Sequence, residues 1–125
     1  MKYLIIDSSS MLFGFSNNNN VFDIASGEFH GITMLVSAGI VGELRSISRN
    51  KGEKGRCASI ALMELRAKKI EIDNIKGADE WIFGKARSNT GSIVITNDTE
   101  LAKRLLDCGI KVLKLSRSGI LKAAR

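Results

Sequence analysis

The stretch Ile93-Val94-Ile95-Thr96-Asn97-Asp98-Thr99-Glu100-Leu101 carries an apolar run, a polar break and the start of an amphipathic segment. An unbroken apolar run reads as a strand buried on both faces, as strands of parallel sheets are. Asn97 and Glu100 stand at capping-box spacing, which predicts a helix over Thr99–Asp107. Gly109 follows as a helix stop, and Val112–Leu115 reads as the next strand. The same alternation runs back to the start of the chain. Further strands are expected at Tyr3–Ile6, Ile32–Val36 and Ile70–Ile72. Helices are expected in pieces of Ser10–Ser26 and at Ala38–Arg49, Cys57–Lys68 and Asp79–Arg87, with a short tail read as helical. Alternating strands and helices predict a three-layer α/β/α sandwich around a twisted parallel sheet of about five strands. The 125 residues form one domain, 1–125, with glycine as the main punctuation because proline is absent. Asn17–Asn20 reads as a surface loop.

Acidic residues fall where such a sheet binds ligands, outside the carboxyl ends of its strands. Asp7 follows the first strand and Asp98 follows the fourth. Stepping about 100° per residue from Val36 puts Ile47, Ile40 and Leu44 near 20°, 40° and 80°. Glu43 then falls near −20°, on that apolar face, with Arg45 opposite near 180°. Asp79 shares a face with Ile82, Phe83 and Ala86, and Asp98 with Leu101, Ala102 and Leu105. An inward carboxylate is costly unless something pairs with it. Each acid has its own ordinary reading. Asp79 and Asp98 could answer a helix dipole, Asp7 could cap a helix, and Glu43 could pair with a buried base. One cluster around a hard divalent cation accounts for all four. Such a site can orient and activate water against a phosphodiester.

The charge balance agrees. There are 19 Lys and Arg against 13 Asp and Glu, a net charge of +6. Removing the four acids from the 13 leaves 9 acidic residues against 19 basic, a remainder of +10. A basic remainder suits a polyanion. Arg45, Arg49, Lys51, Lys54 and Arg56 cluster around an expected loop and are candidate phosphate contacts. His30 is alone, which disfavours a His/Cys zinc site and a Ser-His-Asp triad. Cys57 and Cys108 lack metal-ligand spacing and read as buried thiols in a reducing cytoplasm. No apolar run is long enough to span a bilayer, and Met1–Asp7 does not read as a signal peptide.

The ordered set Ile5-Ile6-Asp7-Ser8-Ser9, Val41-Gly42-Glu43-Leu44, Gly77-Ala78-Asp79-Glu80, Thr96-Asn97-Asp98-Thr99-Glu100-Leu101 and Gly109-Ile110-Lys111-Val112 resembles the PIN-domain nucleases, over essentially the whole chain. The likeness is to single-domain archaeal-type members, related to rRNA-processing nucleases and to the ribonucleases of toxin–antitoxin pairs. The resemblance implies a divalent-metal-dependent endoribonuclease using Mg²⁺ or Mn²⁺ and metal-activated water. By position it makes Asp7, Glu43, Asp79 and Asp98 the metal-holding and catalytic acids, with Ser9 and Asn97 in support. It also implies RNA as substrate, a homodimer, and an antitoxin or a ribosome-assembly factor as partner. Ala58, Ala61, Leu62 and Leu65 form a stripe that would serve a dimer or a helix buried within the monomer. The alternative is a PIN-fold module that binds RNA or protein without cutting. A phosphoacceptor receiver fits poorly, because Asp7 is followed by Ser8 and Ser9 rather than by a second acid.

Overall fold

A computed structural model describes residues 1–124. The strands are β1 (Tyr3–Ile6), β2 (Thr33–Ser37), β3 (Glu71–Asp73), β4 (Ile93–Ile95), β5 (Lys111–Leu115) and β6 (Leu121–Ala123). The helices are α1 (Ser8–Ser16), α2 (Val21–Glu28), α3 (Ala38–Ser48), α4 (Glu53–Ala67), α5 (Asp79–Ser88) and α6 (Thr99–Asp107). The sheet order is β3-β2-β1-β4-β5-β6, parallel except for the antiparallel β5–β6 pair. From β1 the chain builds outward through β2 and β3, then returns to the other side of β1 with β4 and β5. The reversal makes the β1–β4 seam the topological switch point, where open α/β sheets leave a crevice at their carboxyl ends.

The central strands are apolar on both faces because helices cover both. Leu4, Ile5, Ile6, Val94 and Ile95 are fully buried. Helix α4 lies between α1 and α3 and buries Ala58, Ala61 and Leu65, so the small-residue stripe is used within the monomer. Its opposite side leaves Met63 69% exposed.

The tail departs from the expected helix. Leu121–Ala123 form edge strand β6 instead, because the turn at Ser116–Ile120 folds the chain back onto β5. Leu113 pairs with Ala123 and Leu115 with Leu121. Cys57 is buried as expected, but Cys108 is exposed, since it is the C-cap of α6. Asn17–Asn20 joins α1 to α2, and Asn20 caps α2 by accepting from the backbone N–H groups of Phe22 and Asp23. Among the described residues no helix is long and apolar enough to cross a membrane.

Candidate active site

Asp7 ends β1 at the switch point and is 5% exposed. Its backbone N–H continues the sheet by donating to the Ile95 carbonyl, at 3.0 Å. It occupies the N-cap position of α1, but its side chain makes no cap bond. The carboxylate turns to two hydroxyls instead. Ser9 Oγ donates to Asp7 Oδ2 at 2.6 Å, and Thr96 Oγ1 donates to the same oxygen at 2.8 Å. Each hydroxyl is oriented from behind. The Asn97 backbone N–H donates to Ser9 Oγ at 3.0 Å, and the Asp98 N–H to Thr96 Oγ1 at 3.1 Å. Two peptide N–H groups thus reach one buried carboxylate oxygen through two hydroxyls, which fixes the orientation of the Asp7 side chain. Oδ1 accepts no hydrogen bond from the described residues and remains available.

Asp98 is the N-cap of α6, where Oδ1 accepts from the backbone N–H groups of Glu100 and Leu101 at 3.0 and 3.1 Å. The cap therefore lies one residue later than the Asn97–Glu100 spacing predicts. Asn97 is occupied elsewhere. Its Oδ1 accepts from Ser10 Oγ and from the Leu115 N–H, and its Nδ2 donates to the Leu115 carbonyl. It ties α1 to the end of β5 and supports the acids at one remove, through its own N–H to Ser9. Asp98 is exposed rather than inward, because it precedes the first turn whose Leu101 and Leu105 reach the core.

Asp79 opens α5 and is likewise exposed. Its position depends on a close backbone approach. Ser37, the N-cap of α3, accepts from the Ile40 N–H and donates to the Gly77 carbonyl at 2.6 Å. The Gly39 N–H donates to the Ile75 carbonyl at 3.1 Å. A Cβ at Gly39 would lie 2.3 Å from the Lys76 carbonyl oxygen and 2.4 Å from that of Gly77, so only glycine lets the 75–77 segment pack here. That segment delivers Asp79 two residues later.

Glu43 is exposed on the flank of α3, not on its buried face. The expected phase fails because α3 buries Val41, which that reckoning left out, and buries Ile47 only in part, so the buried face turns away from Glu43. The buried residues Ile40, Val41 and Leu44 define a face about 100° away from Glu43. Ser8 Oγ donates to Glu43 Oε1 at 3.3 Å, which links it to the turn beside Asp7.

The acids sense one another. Partial burial raises the Asp79 pKa above its ordinary value, and the charges of Asp7 and Asp98 raise it further. Glu43 is raised by burial and then by Asp7, an effect the Ser8 hydroxyl partly offsets, with Asp79 adding to the rise. The four expected acids thus share one end of the sheet. Among the described residues, however, no three Asp, Glu, His or Cys side chains converge closely enough to hold an ion as they stand.

Residues 4–118 match the family model of the PIN-like domain. The chain belongs to that family. Ribonuclease VapC4 of Methanocaldococcus jannaschii is 25% identical over 117 residues, covering 90% of this chain and 89% of that protein. The structure of the PIN domain endonuclease Utp24 superposes with a TM-score of 0.78 at 20% identity, over 98% of this chain and 91% of that one. A domain of a functionally unknown protein from Methanocaldococcus jannaschii gives 0.61 at 20% identity, over 93% and 92%. These two structural likenesses bear on the fold, and they agree with the PIN-like, mostly parallel sheet described above.

Within this PIN-like domain, Thr96 is the site residue that sequence reading misses. It bonds Asp7 across 89 residues of chain, and only its place between a buried strand and Asn97-Asp98 could have marked it. Glu80 is peripheral, facing Arg104 at 3.5 Å. Trp81 donates from Nε1 to Asp73 and anchors α5 to the end of β3. The cluster Arg45, Arg49, Lys51, Lys54 and Arg56 is exposed around the α3–α4 turn, with Arg56 paired to Glu53. Helix α3 starts at the carboxyl end of β2 and runs about 16 Å away from it, so that turn lies toward the opposite end of the molecule.

Proposed function

We propose that this PIN-like domain is a divalent-metal-dependent endoribonuclease, with Asp7, Glu43, Asp79 and Asp98 as its metal-holding and catalytic acids and Ser9, Thr96 and Asn97 in support. The observation that carries this reading is the placement of Asp7: a buried carboxylate at the switch point, fixed through one oxygen and charge-coupled to acids on two other helices. A family with a ribonuclease and an endonuclease among the relatives supports the same conclusion.

The donor set fits Mg²⁺ or Mn²⁺ in kind, because it is all carboxylate oxygen. The raised pKa values of Glu43 and Asp79 fit as well, since crowded carboxylates stay ionised more easily beside a cation. The fit in place is partial and requires the exposed Glu43, Asp79 and Asp98 side chains to turn toward Asp7. Bound there, a divalent ion would lower the pKa of water and offset charge on the phosphodiester. Ser9 and Thr96 hold the Asp7 carboxylate in place. The α6 N-terminus holds Asp98 at the rim through two backbone N–H groups. RNA is the proposed substrate, in processing or in a toxin-type role.

Binding of Mn²⁺ followed by calorimetry tests the site apart from turnover. The parent protein should bind Mn²⁺ and be stabilised by it, and Asp7→Asn should lose both effects. Full RNA cleavage in EDTA, or equal Mn²⁺ binding by parent and variant, would overturn the metal reading.

A further inference from the structure

Beside the acids, α6 and the β5–β6 hairpin enclose a surface cavity of about 890 Å³. One wall begins at Thr96, Asn97 and Asp98, so the cavity is continuous with the candidate site. Its lining is rich in cations. Lys103 of α6, Lys114 of β5, Arg117 of the turn and Lys122 of β6 all line it, against only Asp98 and Asp107. All four cations are exposed, and none is in an ion pair among the described residues.

Two of them are placed against their own interest. Lys114 and Lys122 are direct partners across the antiparallel pair, and like charges facing one another there destabilise a sheet. Lysine on an edge strand has an ordinary use, because it blocks edge-to-edge association. That explains Lys122 on β6, but not Lys114, which sits on the inner strand β5. An anion held between the two removes the repulsion. The floor between the cations is apolar, with Phe13, Ala102 and Leu106. Phosphates beside an apolar, partly aromatic floor describe an unpaired nucleic-acid strand, whose base faces are free to stack. A duplex hides those faces and presents phosphate alone.

Resting on the nuclease reading, we infer that this groove carries the single-stranded RNA flanking the cleaved bond, with Lys114 and Lys122 clamping its backbone beside Asp98. The strand then enters the site from the α6 and β5–β6 side, rather than past the α3–α4 turn.

The test is equilibrium binding of a fluorescent oligouridylate in EDTA, where binding is read without cleavage. Lys114→Glu/Lys122→Glu should weaken binding roughly tenfold and reduce the log–log salt slope by about 1.4, the loss of two single-strand phosphate contacts. Lys122→Glu alone should weaken binding while melting at or above the parent temperature, because it creates an opposite-charge pair with Lys114. A purely structural lysine pair would move the melt and leave affinity unchanged. Unchanged affinity and slope in both variants would overturn the groove and leave the nuclease reading intact. Failure of the parent to bind oligouridylate even at low salt would overturn it as well. A parent that binds with these lysine effects, but cuts no RNA with Mn²⁺, would keep the groove and sink the catalytic reading.

Discussion

Asp7 and Asp79 stand at the same end of one sheet and are held in opposite ways. Asp7 is buried and fixed by side chains, with Ser9 and Thr96 both donating to its Oδ2. Asp79 is exposed and placed by backbone alone, through the approach of Gly39 to the 75–77 segment. Glu43 resembles Asp79, since it hangs from a helix flank with one 3.3 Å contact to Ser8. The site therefore has a rigid half on the β1–β4 seam and an adjustable half on α3 and α5. Rigid halves locate a reacting centre, and adjustable halves close on what binds there.

That contrast can be broken from either side. The largest effect is expected from Gly39→Ala. Its new Cβ would meet two carbonyl oxygens within 2.4 Å, so the backbone must shift, at a cost of about 3 kcal/mol. A melt should show the loss, and activity should fall because Asp79 moves. An unchanged melting temperature would mean that the 75–77 segment yields freely.

Thr96→Val attacks the rigid half. It deletes a donor to Asp7 and strands the Asp98 N–H, which should cost about 2 kcal/mol by thermal unfolding. Thr96→Ser should restore most of that. If Val and Ser behave alike, the hydroxyl does not hold Asp7.

The adjustable half predicts a pH effect of the opposite sign to an ordinary ion pair. Glu43 has a raised pKa in the fold, from burial and then from Asp7, so its contribution to stability is full below the ordinary value of 4.5 and falls as pH rises through the raised value. Glu43→Gln should therefore melt higher than the parent at neutral pH, with the advantage vanishing in acid. RNA cleavage should drop at the same time. A lower melting temperature at neutral pH would instead mark Glu43 as a structural ion-pair partner.

The smallest effect is expected at the α3–α4 turn. Arg49→Glu/Lys51→Glu should lower RNA affinity and salt dependence, but less than the same reversal at Lys114 and Lys122. A larger effect there would place the RNA path along α3.

Local chemistry made much of this legible in the sequence. Apolar runs such as Ile93–Ile95 mark buried parallel strands, and Asp7 and Asp98 declare themselves by following strands. What sequence could not supply was phase and partnership. Glu43 falls off the buried face because tertiary packing buries Val41 and leaves Ile47 only half-buried, a choice of face that periodicity alone does not make. Strand β6 is three residues long and owes its state to pairing with β5, so no periodicity announces it. The burial of Asp7 and the role of Thr96 depend on contacts across the seam, which only the folded sheet creates.

The most direct test of the central claim is cleavage of labelled RNA with Mn²⁺ by the parent protein and by Asp98→Asn. Asparagine accepts the same cap bonds from Glu100 and Leu101, so α6 should be undisturbed while the carboxylate charge is lost. Cleavage by the parent, and loss of cleavage in a variant with an unchanged melting temperature, is the predicted result. Equal cleavage by both proteins would contradict a carboxylate metal site at the β1–β4 seam.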